Sequence, residues 1–237
     1  MIDTRASKSG VSSAMISLGI AVTMIAAWEA SARAGLVSQF LAPAPSAVVR
    51  TLYVQFSSGD IMPHLFSTLY RVFAGLAIGG SIGMLAGALM GTIPRLRAIA
   101  DPFLSAIHPV PKIAILPVVM ALLGIGDASR IAVISLGVFF PMMINTLGGV
   151  RSINQTYLDV ARNYGASGFR LFSRIMLPAS LPIILSGTRI ALNMGLLVTI
   201  TTEITRARRG LGALIWTSVE VLRMDRLCAT LVVIMVL

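Results

Sequence analysis

Residues able to carry out covalent or metal chemistry are few and far apart in this sequence. The two histidines, His64 and His108, stand alone, so no His-Glu-x-x-His zinc pair can form. Cys228 is the single cysteine, which excludes an internal disulfide and a cysteine-based metal site. A phosphate-cradling Gly-x-x-x-x-Gly-Lys-Ser/Thr loop needs a lysine after glycine, whereas Lys8 follows Ser7 and Lys112 follows Pro111. Catalysis, metal binding and nucleotide hydrolysis by this chain are therefore not expected, and the chain is not read as an enzyme. The remaining polar chemistry falls into two groups. Asp159 and Arg162 sit in a polar stretch between apolar runs, while Asn145, Asn193, Thr199, Thr201, Thr202 and Glu203 lie in or near those runs, where unmet polarity is destabilising.

The elements that hold these residues must be membrane helices. Of 237 residues, 56% are hydrophobic and only 12% charged, about half the charge a soluble domain uses to cover its surface. Few aromatics (6%) and many glycines (21) fit helices packed closely in lipid better than a β-barrel with aromatic girdles. The net charge of +10 comes from arginines scattered between apolar runs, with no dense basic stretch. That pattern suits membrane surfaces and partner proteins and gives no support to a nucleic-acid partner.

Charges and prolines mark the expected spans, each needing roughly 20 apolar residues. The first lies between Lys8 and Glu29, the second runs from Val72 to Pro94, and the fourth lies between Arg130 and Arg151. The third, Pro102 to Gly126, carries Lys112 and, within it, Pro109, Pro111 and Pro117, and is expected to be a kinked helix. The fifth, Leu181 to Thr202, contains Arg189, which should snorkel or face protein. The last stretch, Leu227 to Leu237, covers only about 16 Å at 1.5 Å per residue, and reads as an incomplete sixth helix. The expectation is an all-α polytopic bundle in one domain over residues 1–237. Counting basic residues in alternate loops gives near-equal numbers on the two sides, so orientation needs another feature.

Within the second run, Gly75, Gly79, Gly83, Gly87 and Gly91 recur every four residues. Such a stripe lets another backbone approach closely, so these glycines are expected to pack helices together.

Between the fourth and fifth runs, residues 151–180 are too polar for membrane and too regular for a linker. Tyr157, Val160, Ala161 and Tyr164 follow helical spacing, Thr156 and Asp159 resemble a capping box, and Gly165 is placed to end the helix in a left-handed turn. A second short helix is expected from Ser167, with Phe169, Phe172 and Met176 on one face and Pro178 and Pro182 marking the start of the next span.

This loop resembles the EAA loop of ATP-binding-cassette (ABC) importer permeases: EAA, three residues, G, nine residues, I-x-L-P. Here Asp159-Val160-Ala161, Gly165 and Ile175-Met176-Leu177-Pro178 stand in that register, with Asp159 for Glu and Val160 for the first Ala. Pro43-Ala44-Pro45-Ser46, the stretch Ser67 to Gly75, Pro111 to Pro117, Gly124-Ile125-Gly126, and Glu203 followed by Gly210-Leu211-Gly212 resemble permeases of the nitrate, sulfonate, taurine and bicarbonate type.

The resemblance implies the type I importer permease fold with six spans, a second permease copy (a homodimer is expected) and a solute pathway between the copies. It also implies two cytoplasmic ATPase subunits that bind ATP and Mg²⁺, an extracytoplasmic solute-binding protein, and a location in the bacterial inner membrane. Asp159, Ala161, Arg162, Gly165, Ile175, Leu177 and Pro178 would form the ATPase-coupling element, placing that loop and the N-terminus in the cytoplasm. The outer loop with Arg206, Arg208 and Arg209 would then face a binding protein, attract an anion, or simply be solvated. Asn145, Asn193, Thr199 and Glu203 are the candidates for lining the pathway, although interhelical hydrogen bonds explain such residues equally well. The competing class is an ion-gradient-driven carrier, which usually shows a mid-span acid paired with a cation and an inverted repeat. Lys112 and Arg189 are the deep charges expected here, with no acid at mid-span.

Overall fold

A computed structural model describes residues 5–38, 40–205 and 207–237, with side chains from Met15 onward. In chain order its helices are α1 (Arg5–Arg33), α2 (Pro45–Ser57), α3 (Met62–Gly75), α4 (Ser81–Thr92), α5 (Pro94–Ile107), α6 (Leu116–Leu123), α7 (Asp127–Arg151), α8 (Gln155–Asn163), α9 (Gly168–Leu171), α10 (Leu177–Ile204), α11 (Leu211–Glu220) and α12 (Met224–Val236). The described chain divides into two compact units, one ending at Pro63 and resuming at Leu214, the other His64–Ala213.

In the first unit Glu29 of α1 accepts from the backbone N–H (3.0 Å) and hydroxyl (2.8 Å) of Ser46, fixing the start of α2. Asp225 at the start of α12 accepts from Thr51 of α2 at 2.9 Å and pairs with Arg223 at 2.8 Å.

The second unit is built around α7, with α4 and α10 along its length. Ile134, Val138 and Met142 of α7 bury against Ile184 and Ala191 of α10. On its other side α7 meets the five glycines. A Cβ added to Gly75 or Gly91 would fall under 3.0 Å from Ile134 or Val150, and one added to Gly79, Gly83 or Gly87 would strike the backbone carbonyl of Ser135, Phe139 or Met143. A four-residue repeat drifts around a straight α-helix by about 160° over these five positions at 100° per residue. The π turn Leu76–Gly80, which joins α3 to α4, takes up one residue and removes about 100° of that drift. The stripe thus stays on α7.

Among the described residues four helical stretches are long and apolar enough to cross a membrane: Met15–Arg33, Met62–Thr92, Asp127–Arg151 and Gly168–Ile204. Each takes in a charge expected at its boundary or starts earlier than expected, and two differ most. The second starts ten residues before Val72 because Arg71 lies inside it, buried and ion-paired, and so does not mark its end. The helical stretch that holds the fifth run begins near Gly168: Pro178 fits the first turn of α10, and the π turn Phe172–Met176 joins α9 to α10 without a stop. The expected kinked third span is instead two pieces, Pro94–Ile107 and Lys112–Leu123, at 83° to each other. Pro109 and Pro111 withhold backbone donors, and Pro111 is extended (φ −61°, ψ 110°), so the helix stops and restarts. Lys112 reaches back to the His108 carbonyl and lies 4.9 Å from the centre of the Phe140 ring.

Candidate functional site

Two clusters of polar residues, one around Asp159 and one around Glu203, lie at opposite ends of α7, which at 25 residues is about 37 Å long at 1.5 Å per residue.

At the C-terminal end, α8 begins two residues earlier than the Thr156–Asp159 capping box implied. Its cap is Asn154, whose side chain accepts from the Thr156 N–H at 2.9 Å. The helix ends at Gly165 with φ +80°. There the Ala166 N–H donates to the Ala161 carbonyl (3.0 Å) and the Gly165 N–H to the Arg162 carbonyl (2.9 Å), the paired bonds of a Schellman turn. No atom lies within 4 Å of an added Cβ at Gly165. The requirement for glycine is therefore conformational.

Leu158 and Ala161 turn inward and share a small core with Val150, Leu171 and Met176, against which Ile175 also packs. Leu177 packs instead on the α7–α10 core, and Pro178 is exposed. Tyr157, Val160, Tyr164 and Phe169 face outward, so most of the apolar stripe read from the spacing is exposed surface. Asp159 accepts from Arg162 at 3.0 Å and from Gln155 at 3.1 Å, and all three groups are exposed. The loop thus presents aromatic rings and one ion pair on a helix pinned from behind.

At the N-terminal end of α7 the polar groups face inward. Glu203 has no exposed surface. Its carboxylate accepts from the Thr68 hydroxyl (2.9 Å), from Arg71 Nη1 (2.6 Å) and from the Gly212 N–H (3.0 Å). Arg71, 5% exposed, also bonds Asp127 at 2.7 Å and the Arg209 carbonyl at 2.7 Å. Thr68 in turn accepts from the Leu211 N–H at 2.8 Å, and His64 Nδ1 lies 2.9 Å from the Gly210 carbonyl. Gly210 (φ +132°) and Gly212 make room for the acid, since a Cβ on either would meet Glu203 under 3.0 Å away. One buried carboxylate thereby ties α3, α7, α10 and the start of α11 together.

Beside this cluster a cleft of about 760 Å³ is lined by Arg71, Asp127, Arg130, Arg208 and Arg209. Arg206 lies outside the described residues.

The residues considered for a pathway do not come together. Asn145 donates to the Pro141 carbonyl at 2.8 Å and abuts Gly187. The Thr199 hydroxyl is fully buried and donates to Gly195 of its own helix at 2.7 Å. Glu203 is enclosed as described. Asn193 is exposed on α10, on one face with Ser186 and Arg189. Arg71 and Arg130, counted from the sequence as loop charges, are buried within helices. Reading residue by residue missed them, together with Thr68 and Asp127. Yet the segments that carried the family resemblance, Ser67 to Gly75, Gly124 to Gly126 and Glu203 with Gly210 to Gly212, are the ones that meet around Glu203 and the cleft beside it, and their joint occurrence was the available signal.

Residues 79–237 match the family of binding-protein-dependent transport system inner membrane components. The chain belongs to this family. It is a multi-pass permease subunit of an ABC importer, with the helical fold of that family. The permease is similar to a taurine transport system permease protein of Escherichia coli (strain K12), 32% identical over 227 residues, covering 94% of this chain and 82% of the other. A Bacillus subtilis (strain 168) protein named for aliphatic sulfonates transport is 32% identical over 201 residues, 85% of this chain and 73% of that protein. A formylaminopyrimidine transport permease protein of Halalkalibacterium halodurans is 33% identical over 186 residues, 78% and 73% respectively.

Proposed function

We propose that this permease works as one of two copies enclosing the pathway for a small solute such as taurine, another sulfonate or nitrate, between an extracytoplasmic binding protein and two cytoplasmic ATPase subunits. The names of the relatives support the sulfonate class. ATP and Mg²⁺ belong to the ATPase partner, since this sequence has no phosphate-cradling lysine loop. The N-terminus and the 151–180 loop are cytoplasmic.

The observation that carries this reading is the build of α8. Leu158 and Ala161 hold it to the bundle, while Tyr157, Tyr164, Asp159 and Arg162 are left free for a partner. A stiff short helix held on one face and exposed on the other passes a push from an ATPase cleft to the end of α7 and, through α9 and the π turn, into α10. Support for a second copy comes from α10. Ser186, Arg189 and Asn193 lie exposed on one helical face, and an arginine facing lipid at mid-depth is destabilising by about 2.5 to 3.5 kcal/mol. A neighbouring permease and a wet pathway remove that penalty.

The test is Gly165→Leu in the assembled transporter. A side chain at φ +80° strains the turn without a clash. Insertion into the membrane should be unchanged, while uptake of labelled taurine or ethanesulfonate and solute-stimulated ATP hydrolysis fall together. Normal uptake by a variant that assembles with its ATPase would remove the coupling role from this loop.

A further inference from the structure

The cleft at the N-terminal end of α7 has a charge balance that the Glu203 cluster does not neutralise. Four guanidinium groups (Arg71, Arg130, Arg208, Arg209) stand against two carboxylates (Asp127, Glu203), a surplus of two positive charges. Both carboxylates are held by Arg71. Arg130 is 3% exposed and, among the described residues, has no carboxylate within ion-pair distance. Its contacts are backbone carbonyls: Gly126 at 3.0 Å, Thr205 at 3.3 Å and Thr202 at 3.4 Å. Carbonyl dipoles satisfy three of the five donors of a guanidinium and leave its charge in place. Two N–H groups remain for a ligand. Arg208 and Arg209 are exposed at the rim, and their side chains form no ion pair among the described residues.

A buried planar cation beside two unpaired rim cations, in a walled cleft, focuses its field on an anion. Guanidinium groups match the oxygens of a tetrahedral oxyanion head with paired donors. The cleft volume of about 760 Å³ lies within the usual range for small-molecule sites.

We propose that this cleft is an oxyanion site belonging to the permease itself. Arg130 and the Arg208–Arg209 pair hold the sulfonate head of the solute, with Arg71 fixed behind them by Glu203 and Asp127. The permease therefore adds its own selection for a negatively charged head. The proposal rests on the reading of the chain as an importer for sulfonate-type solutes, and it locates where the anion first meets the permease.

The test uses the full chain assembled with its ATPase in nanodiscs of uncharged phosphatidylcholine, with ³⁵S-labelled ethanesulfonate as probe. Binding should saturate and be displaced by methanesulfonate but not by ethanol. The double variant Arg208→Gln with Arg209→Gln should weaken it by at least about tenfold, and Arg130→Lys, which keeps the charge and loses the planar fork, should weaken it by a smaller factor. Arg95→Gln, at an exposed arginine on α5, controls for net charge and should leave binding unchanged. Absence of saturable binding to the native chain overturns the proposal, as does a double variant that binds within about twofold of native. A double variant that loses its hold on the binding protein yet binds ethanesulfonate normally also overturns it, and makes the rim a protein-docking surface. Arginine-dependent binding in a transporter that moves no sulfonate supports the site and removes the sulfonate-import reading. Sulfonate uptake indifferent to all three arginines does the reverse.

Discussion

At one end of α7 the charged groups face outward, and at the other they face one another. Asp159 and Arg162 on α8 form an exposed pair that shares a short helix with exposed aromatic rings. Arg71 and Glu203 are buried, and every oxygen of the acid has a donor. Exposed pairs contribute little to stability, about 0.2 to 1 kcal/mol, so the first pair is free to serve a partner. A buried pair whose member is removed destabilises by about 3 to 5 kcal/mol, so the second is committed to holding four helices in place.

Arg71→Met should produce the largest effect, because it strips an enclosed carboxylate of its guanidinium. A loss of about 3 to 5 kcal/mol is expected, read as a collapse of monodisperse protein after detergent extraction. Arg71→Met combined with Glu203→Leu should recover most of that yield, since replacing a whole buried pair by apolar groups is often nearly neutral. If the double variant is as poor as the single one, the cluster does more than neutralise itself.

Gly79→Ala comes next. Its Cβ would land on the Ser135 carbonyl, which cannot swing aside as a side chain can, and overpacking of this kind destabilises by about 1 to 3 kcal/mol. Thermal unfolding in detergent should shift accordingly. Gly148→Ala, where an added Cβ meets nothing within 4 Å, should not shift it.

Gly165→Ala should be milder, at roughly 1 to 2 kcal/mol of local strain, and visible as a partial fall in solute-stimulated ATP hydrolysis with a smaller fall in unfolding temperature than Gly79→Ala gives. Smallest in stability is Asp159→Asn, at under about 0.5 kcal/mol. Its effect should appear in the salt dependence of ATPase capture, and an unchanged salt profile would remove Asp159 from the docking surface.

The same contrast sets how much of this molecule was legible beforehand. The loop could be read because its residues are contiguous: Asp159, Gly165 and Pro178 keep their spacing on the page as in space, and glycine at +80° is a local demand. The glycine ladder was legible for the same reason, though not the π turn that holds it in register. The Glu203 cluster was obscured because Thr68, Arg71, Asp127, Glu203 and Gly212 are scattered along the chain. The rule that charges end spans misplaces Arg71, since that rule assumes a charge seeks water. A charge with a buried partner does not. Likewise, three prolines implied a bend between Pro102 and Gly126, but whether neighbouring backbone lets a helix continue through it is decided outside that segment.

The contact of three α4-side glycines on bare α7 carbonyls has a consequence for how the proposed stroke from the ATPase would travel. Side-chain packing yields by rotating bonds, whereas backbone seated on backbone has little to yield, so α4 and α7 behave as one stiff spar. A tilt of about 5° imposed at the α8 end displaces the far end of a spar about 37 Å long by roughly 3 Å. That is one hydrogen-bond length, enough to bring the Arg130 guanidinium within reach of an anion or to withdraw it.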